Sequence, residues 1–255
     1  MTIRTAPGLD IAPVSPREAL ASFVERLLLR SALSEAQQAA ILSLPGHIQK
    51  VPPCHEIIVP AQHTDHSCLI VSGLGARFGM MADGRRQIVA FHLPGDMCDL
   101  HSVPAPTSGW GLEALSGATL LFIPHAALRK VAQDPGLAMA FWRDTVTDGS
   151  ILAKWAANLG RKQAVPRLAH LFCEIGIRME QVGLGSRSEY QLRATQAQLA
   201  DALGLTSVHL NRTLKSLRER GVAFSGKAVR IEDWDSVTHL AEFDPAYLLL
   251  PRRAD

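Results

Sequence analysis

Apolar and polar positions follow different periods in different parts of this chain. From about residue 48 to residue 123, short apolar segments alternate with Gly, Pro and Asp, which is typical of strands joined by tight turns. On either side, apolar residues recur every three or four positions, which predicts helices. We expect these helices over 16–30, 34–44, 124–133, 135–161, 163–181 and 234–240.

The strand-rich region contains six segments with strand character, at 56–59, 68–71, 76–80, 87–91, 112–115 and 119–123. Many short strands at regular spacing favour an antiparallel barrel or jelly roll. We therefore predict an α+β fold with an N-terminal antiparallel, jelly-roll-like β-roll, a long helix and a helical C-terminal unit.

The stretch from Thr195 to Gly221 predicts a helix, a tight turn and a second helix. Thr195 and Gln198 form a capping-box pattern at the start of the first helix. Gly204 can take the left-handed conformation that ends it, and Thr206 can cap the second helix. This is the pattern of a helix-turn-helix, whose second helix can enter a DNA major groove. The alternative is an αα-hairpin whose basic face is merely solvated.

Two flanking segments favour the DNA-binding interpretation. A short strand is expected at 190–193, before the first helix, and a hairpin at 222–231, after the second. A hairpin in that place is a wing, and Lys227 at its turn could reach a phosphate.

The long helix over 135–161 carries a second pattern. Six of its residues recur at steps of four and three, which predicts a coiled-coil-like seam for a second copy of the chain. They are Phe141, Thr145, Asp148, Leu152, Trp155 and Leu159. The alternative is that this seam packs against the chain's own β-roll.

Composition and charge narrow the class of protein. The chain has 255 residues, 47% hydrophobic and 20% charged, as expected for a folded protein of two domains. It has neither an apolar run of membrane-spanning length nor an apolar signal-peptide core, so we expect a cytoplasmic location without a membrane partner. Eight basic residues stand against three acidic ones between Arg187 and Arg230. That local excess suits a DNA phosphate backbone.

The order of these elements resembles the bacterial Crp/Fnr superfamily of transcription regulators over nearly the whole chain. The most specific match is TQAQLADALGLTSVHLNRTLKSLRERGV followed by GKAVRI, and DGRRQIVAFHLPGDMCDL resembles that superfamily's β-roll. The resemblance implies a homodimer that binds a near-palindrome of double-stranded DNA, and contact with RNA polymerase if it activates. It also implies a sensor domain over 1–134, a dimerisation helix over 135–162 and a winged helix-turn-helix over 163–255.

The chain departs from the members of that superfamily that bind cyclic AMP. Their Gly-Glu pair falls here in Met97-Cys98-Asp99-Leu100, and their Arg-Ser pair falls in 107–110, which ends at Trp110 and lacks an Arg. A cyclic phosphate needs cations or several donors, and Asp99 would repel it. The cysteine cluster of the iron–sulfur branch is also missing, because Cys54 is the first cysteine. We expect no cofactor and an effector, if any, near Met97, Cys98, Asp99, Leu100 and Trp110.

The second helix of the helix-turn-helix departs as well, since Ser207 and Val208 replace the early Arg-Glu pair of many members. Arg212 stands at the later Arg position, and its planar fork matches the two acceptors of a guanine edge. The other candidates for base contacts are Ser207, Val208, His209 and Asn211. The candidates for phosphate contacts, which set register, are Thr195, Gln196, Lys215 and Lys227.

Three other functions stay open. Ten histidines raise the possibility of a metal site, with clusters at His63 and His66 and around Cys98, and with it a cupin-like metal enzyme. No catalytic motif supports an enzyme. Cys98 or Cys173 could instead confer redox control if a thiol were exposed with a depressed pKa. Finally, a ligand-independent architectural protein would bind DNA without sequence preference.

Overall fold

The computed structural model describes residues 14–250 of the chain. Within that range the chain forms eight α-helices and eleven strands. The helices are α1 (Pro16–Leu28), α2 (Glu35–Leu42), α3 (His125–Val131), α4 (Pro135–Arg161), α5 (Ala164–Gln181), α6 (Gln196–Leu203), α7 (Ser207–Arg218) and α8 (Trp234–Ala241). The strands of the N-terminal part are β1 (His47–Val51), β2 (His55–Ile58), β3 (His66–Ser72), β4 (Gly75–Met80), β5 (Arg86–His92), β6 (Gly111–Ala114) and β7 (Ala118–Pro124). Those of the C-terminal part are β8 (Gly185–Ser186), β9 (Glu189–Gln191), β10 (Val222–Ser225) and β11 (Ala228–Ile231).

Two antiparallel sheets form the β-roll. Their strand orders are β1-β7-β3 and β2-β6-β4-β5. Apolar side chains from both sheets, among them Ile70, Leu112 and Leu120, share one buried cluster. The α+β fold with an N-terminal β-roll, a long helix and a C-terminal helix-turn-helix is therefore confirmed.

Helix starts agree with the local sequence. Ser15 and Ser34 each form a capping box at the start of α1 and α2. Asp134 caps α4, where Pro135 occupies a first-turn position that needs no amide hydrogen. The buried side of α1 packs against β3, β7 and α4. On this side the ring of Phe23 stacks on Phe141 of α4. The first helix thus lies between the β-roll and the long helix.

The C-terminal unit is built around α5. Its residues Leu168, Phe172 and Ile175 are fully buried, and α6, α7 and α8 pack around them. A third antiparallel sheet follows the order β10-β11-β9-β8. Gly176 permits close packing there, because a Cβ at this position would lie 2.3 Å from the Arg187 carbonyl oxygen.

The cores of the β-roll and of the C-terminal unit are continuous. One buried cluster joins Ile88 and Phe91 of β5 with Trp155 of α4 and with Leu168 and Leu203 of the C-terminal unit. The two units therefore pack directly on each other through apolar side chains.

Two strands were not predicted. The segment that forms β1 pairs with β7 throughout, although its exposed polar residues hide any strand pattern. The two-residue β8 falls in a glycine-rich segment that predicts a loop. No helix within the described range is long and apolar enough to cross a membrane. Residues 1–13 and 251–255, which fall in the first and last predicted domains, lie outside that range.

Candidate nucleic-acid interface

The helix-turn-helix forms as its local sequence predicts. The Thr195 side chain accepts a hydrogen bond from the Gln198 amide, and Thr206 accepts one from the His209 amide. Gly204 has φ +61° and ends α6 in the left-handed conformation, where a side chain would be strained. Leu199 and Leu210 are fully buried and hold the two helices together.

The outer face of α7 is open to solvent. The five side chains predicted to contact bases are all exposed, and 64% of Val208 is accessible. They are Ser207, Val208, His209, Asn211 and Arg212. Among residues 14–250 the guanidinium of Arg212 has neither an ion pair nor a hydrogen bond, so its donors are available to a ligand.

The candidates for phosphate contacts lie around this face. Gln196 at the start of α6 and Lys215 on α7 are exposed. The hydroxyl of Thr195 is already engaged as a helix cap, which leaves only its remaining donor capacity for a phosphate. Lys227 stands at the tip of the β10–β11 hairpin, where it and Gly226 both have positive φ. Such a two-residue turn suits a tight hairpin.

A basic groove beside α7 was not predicted. It runs between the end of α4 and α7 and is lined by Arg161, Lys162 and Arg167 together with His209 and Arg212. Arg167 is occupied, since it donates to the Leu203 and Lys162 carbonyls. The exposed Arg161 continues the basic surface. The doublet Arg161-Lys162 at the end of the long helix is the sequence signal that could have indicated this groove.

The residues expected to line an effector pocket are packed instead. Met97, Cys98, Asp99 and Leu100 are all buried. Trp110 is 47% exposed, and its ring covers Gly79 of β4 on the outside of the roll. Four of the five are therefore core residues and the fifth faces solvent, and an effector near them stays a prediction.

Charged side chains occupy the space between the β-roll and the long helix. Arg26 of α1 binds Asp96 and donates to Asp144 at 2.7 Å, and its other amino group lies 3.9 Å from Asp148. Arg77 of β4 lies 3.2 Å from Asp148 and also donates to the Cys98 carbonyl. The chain's own ion pairs thus occupy the space between the β-roll and the long helix.

Two further ion pairs join the β-roll to the C-terminal unit. Arg178 of α5 lies 2.5 Å from Asp96 and 3.2 Å from Glu174. Arg86 of β5 binds Glu113 on β6 and Asp201 on α6, each at 2.9 Å. Both interactions fix the first helices of the C-terminal unit against the sheet.

The two cysteines considered for redox control are not activated. Cys98 and Cys173 are buried, and burial raises the pKa of Cys98 well above its ordinary value and that of Cys173 to about 12. Both shifts are opposite to what a redox-sensing thiol needs. Within residues 14–250, no group of three His, Cys, Asp or Glu side chains is placed to hold a metal ion.

The seam predicted on α4 does not face outward. Phe141 stacks on Phe23, and Trp155 donates to the Glu174 carboxylate, so both rings are buried within the chain. Asp148 is held by Arg26 and Arg77. Within one chain these three side chains therefore contact α1, α5 and the β-roll, and their role as contacts for a second copy stays a prediction. Thr145, Leu152 and Leu159 are partly buried at the edge of that face.

A different stripe of α4 is exposed, which we call the outer stripe. Its members recur at steps of three and four, and 65% of Trp142 is accessible. The stripe is apolar at the start of the helix and consists of small residues towards its end. It comprises Met139, Trp142, Val146, Gly149, Ala153, Ala156 and Gly160.

Asp99 makes the stability of the β-roll depend on pH. Burial raises the pKa of Asp99 from 3.8 to about 6. This happens although the Asp99 carboxylate accepts hydrogen bonds from the Cys68 amide and the Ser102 hydroxyl. The Ser102 hydroxyl in turn contacts His125. The folded chain therefore binds this proton more tightly than the unfolded chain. The resulting stabilisation is complete below the unfolded pKa and is lost as pH rises through about 6.

We predict that Asp99→Asn removes this loss. Between about pH 4.5 and about pH 7.5, the free energy of unfolding of the wild-type chain should fall relative to the variant by on the order of 2 kcal/mol. Urea unfolding at the two pH values measures it, with the exposed Asp235→Asn as control. Parallel changes in wild type and Asp99→Asn would contradict a raised pKa.

Comparisons with known proteins agree with this architecture. Residues 166–240 match the family model of the Crp-like helix-turn-helix domain. The nitrogen fixation regulation protein FixK of Azorhizobium caulinodans is 29% identical over 208 residues, covering 80% of this chain and 82% of FixK. The fumarate and nitrate reduction regulatory protein of Escherichia coli K12 is 28% identical over 176 residues, covering 68% and 69%.

Solved structures show the same similarity. The structure of FixK2 from Bradyrhizobium japonicum has a TM-score of 0.70 at 27% identity and covers 77% of this chain and 98% of that chain. The regulator CLP of Xanthomonas campestris has a TM-score of 0.61 at 16% identity, with 78% and 100% covered, and shares the fold.

Proposed function

Because the chain belongs to the Crp/Fnr superfamily and is a DNA-binding transcription regulator, we propose that it binds a near-palindromic site as a homodimer and recognises each half-site with α7. The open, unpaired and basic face of α7 is the observation that carries this proposal. We assign residues 1–134 to the β-roll with its N-terminal helices, 135–162 to dimerisation and 163–255 to DNA binding. Cytoplasmic location and contact with RNA polymerase, if the protein activates, belong to the same proposal.

Arg212 is the main base contact in this proposal. It is exposed on α7 with its guanidinium free, and a guanidinium can donate two parallel hydrogen bonds to guanine. Ser207, Val208, His209 and Asn211 share its face and complete the base-contacting set. Thr195, Gln196, Lys215 and Lys227 surround that set, with Arg161 at the groove beside it, and would bind phosphates.

The outer stripe of α4 is the dimer contact that we propose in place of the predicted seam. Its spacing matches a heptad seam, and Trp142 and Val146 offer apolar area that the chain itself leaves uncovered. Gly149, Ala153 and Gly160 would let two helices approach closely. The half-buried Thr145, Leu152 and Leu159 would border this contact.

The β-roll needs no cyclic nucleotide in this proposal. Its ion pairs around Arg26 and Arg77 replace a ligand between the sheet and the long helix, and Asp99 stands buried where a cyclic phosphate would need a donor. A small-molecule signal of another kind would have to act elsewhere. An architectural DNA-binding protein remains the second candidate, and its mark would be binding without sequence preference.

Selection of binding sites from random duplex DNA, with no added ligand, tests the proposal. Enrichment of one two-fold-symmetric site is expected. Binding without any enriched sequence would favour the architectural alternative.

We predict that Arg212→Ala weakens binding to the selected site by about 1–3 kcal/mol and relaxes the preference at one base pair per half-site. The lost interaction is the paired hydrogen bond to a base edge. Repeating the selection and measuring fluorescence anisotropy on matched duplexes gives both quantities. Arg218→Ala, exposed on the same helix, should keep the sequence preference. A uniform loss on every duplex for Arg212→Ala would argue for a phosphate contact instead.

Ala153→Glu should break the dimer, because the two-fold axis would bring like charges together at the outer stripe. We expect the dimer dissociation constant to rise by roughly a hundredfold or more, since like charges across an interface cost several kcal/mol. Sedimentation velocity measures the change. Leu184→Glu, which places the same charge on an exposed apolar residue away from α4, serves as control. An unchanged dimer in Ala153→Glu would exclude the outer stripe as the interface.

A further inference from the structure

Asp96, in the turn after β5, binds one arginine from α1 and one from α5. We propose that Arg26 of α1 is a positioning residue for the DNA-binding unit and acts on it through Asp96 and Arg178. The inference rests on the proposed DNA-binding function and adds to it a route from the first helix to the helix-turn-helix through Asp96.

The carboxylate of Asp96 is fully engaged. One oxygen binds Nη1 of Arg26. The other accepts from Nη2 of Arg178 at 2.5 Å and from the Leu93 amide at 2.8 Å. Because each oxygen has its own arginine, the two guanidinium groups are held in a fixed relation through one small group.

Burial raises the free-energy cost of losing either arginine. Burial raises the pKa of Asp96, but the guanidinium groups of Arg26 and Arg178 outweigh it and hold the pKa below its ordinary value, so the group is ionised. Arg26 also pairs with Asp144, whose pKa burial raises. Removing Arg26 would leave the buried carboxylates of Asp96 and Asp144 each with one partner fewer. That state is costly, so the surrounding side chains would have to rearrange.

Relaxation at Asp96 reaches the DNA-binding unit through α5. Arg178 lies on α5 and also donates to the Phe91 carbonyl at 3.0 Å and to Glu174 at 3.2 Å. Glu174 in turn accepts from Trp155 and Tyr247. Since α6 and α7 pack on α5, a change in the position of Arg178 would move α7.

The docked arrangement is the one suited to DNA. With Arg178 on Asp96, the outer face of α7 remains open and nothing in the described range covers it. A unit released from Asp96 would have orientational freedom that DNA binding must remove, so its affinity would be lower.

A double-mutant cycle on DNA affinity tests the relay. Arg26→Met and Arg178→Met should each weaken binding to the selected site by about tenfold, within the roughly 5–150-fold span of coupling between sites. The double variant should bind DNA no more weakly than the single variant with the lower affinity, because both substitutions break the same chain of contacts. Arg26→Lys, which keeps the charge, should recover part of the loss. Arg17→Ala, exposed on the same helix, is the control and should bind as wild type. Additive losses, or tighter binding by Arg26→Met, would overturn the proposal.

A second readout needs no DNA. Spin labels on cysteines introduced at Ala82 of the β-roll and Ser225 of the wing, with Cys54→Ser to remove the exposed thiol, report the distance between the two units. The distance distribution should broaden in Arg26→Met and in Asp96→Asn. The second variant keeps the shape of the Asp96 side chain and provides the test if Arg26→Met does not fold. An unchanged distribution in Asp96→Asn would overturn the relay. Failure of the wild-type chain to bind any duplex would count against the DNA-binding function alone, since the distances would still decide the relay.

Discussion

A buried carboxylate has to be paired, and much of this structure depends on how Asp96 meets that requirement. Its charge is out of water, so stability requires guanidinium groups at both of its oxygens. One comes from α1 and the other from α5. The first helix and the core helix of the DNA-binding unit must therefore both dock at the same turn of the β-roll, and the long helix joins them through Asp144.

The pairing of buried charges also limits how a signal could act on the β-roll. Between the β-roll and the long helix, two arginines and two carboxylates of the long helix already satisfy one another. A signal acting there would have to replace an ion pair instead of filling a space. The surroundings of Asp99 point the same way, since that carboxylate is bonded to the backbone of β3 and to Ser102.

The sequence alone was sufficient where the determinants are local. The caps Thr195 and Thr206 and the left-handed Gly204 lie within a few residues of what they control, so the helix-turn-helix followed from its own segment. The choice between two stripes on α4 did not. Both have heptad-like spacing, and only the packing of α1 and of the β-roll decides that Phe141 and Trp155 turn inward. The partners of Asp96 were equally hidden, because Arg26 is 70 residues away and Arg178 is 82 residues away. An arginine on an amphipathic helix looks like a solvated residue until the opposing carboxylate is known.

Arg30, one turn beyond Arg26, links the two ends of the described chain in another way. Its guanidinium donates twice to the carbonyl of Leu248, at 2.9 and 2.8 Å, across 218 residues. During synthesis, the N-terminal helix therefore leaves the ribosome long before this acceptor exists. Multidomain chains commonly fold their first domain while the rest is still being made. Here the β-roll can form early, but α1 reaches its final position only after Leu248 has been synthesised.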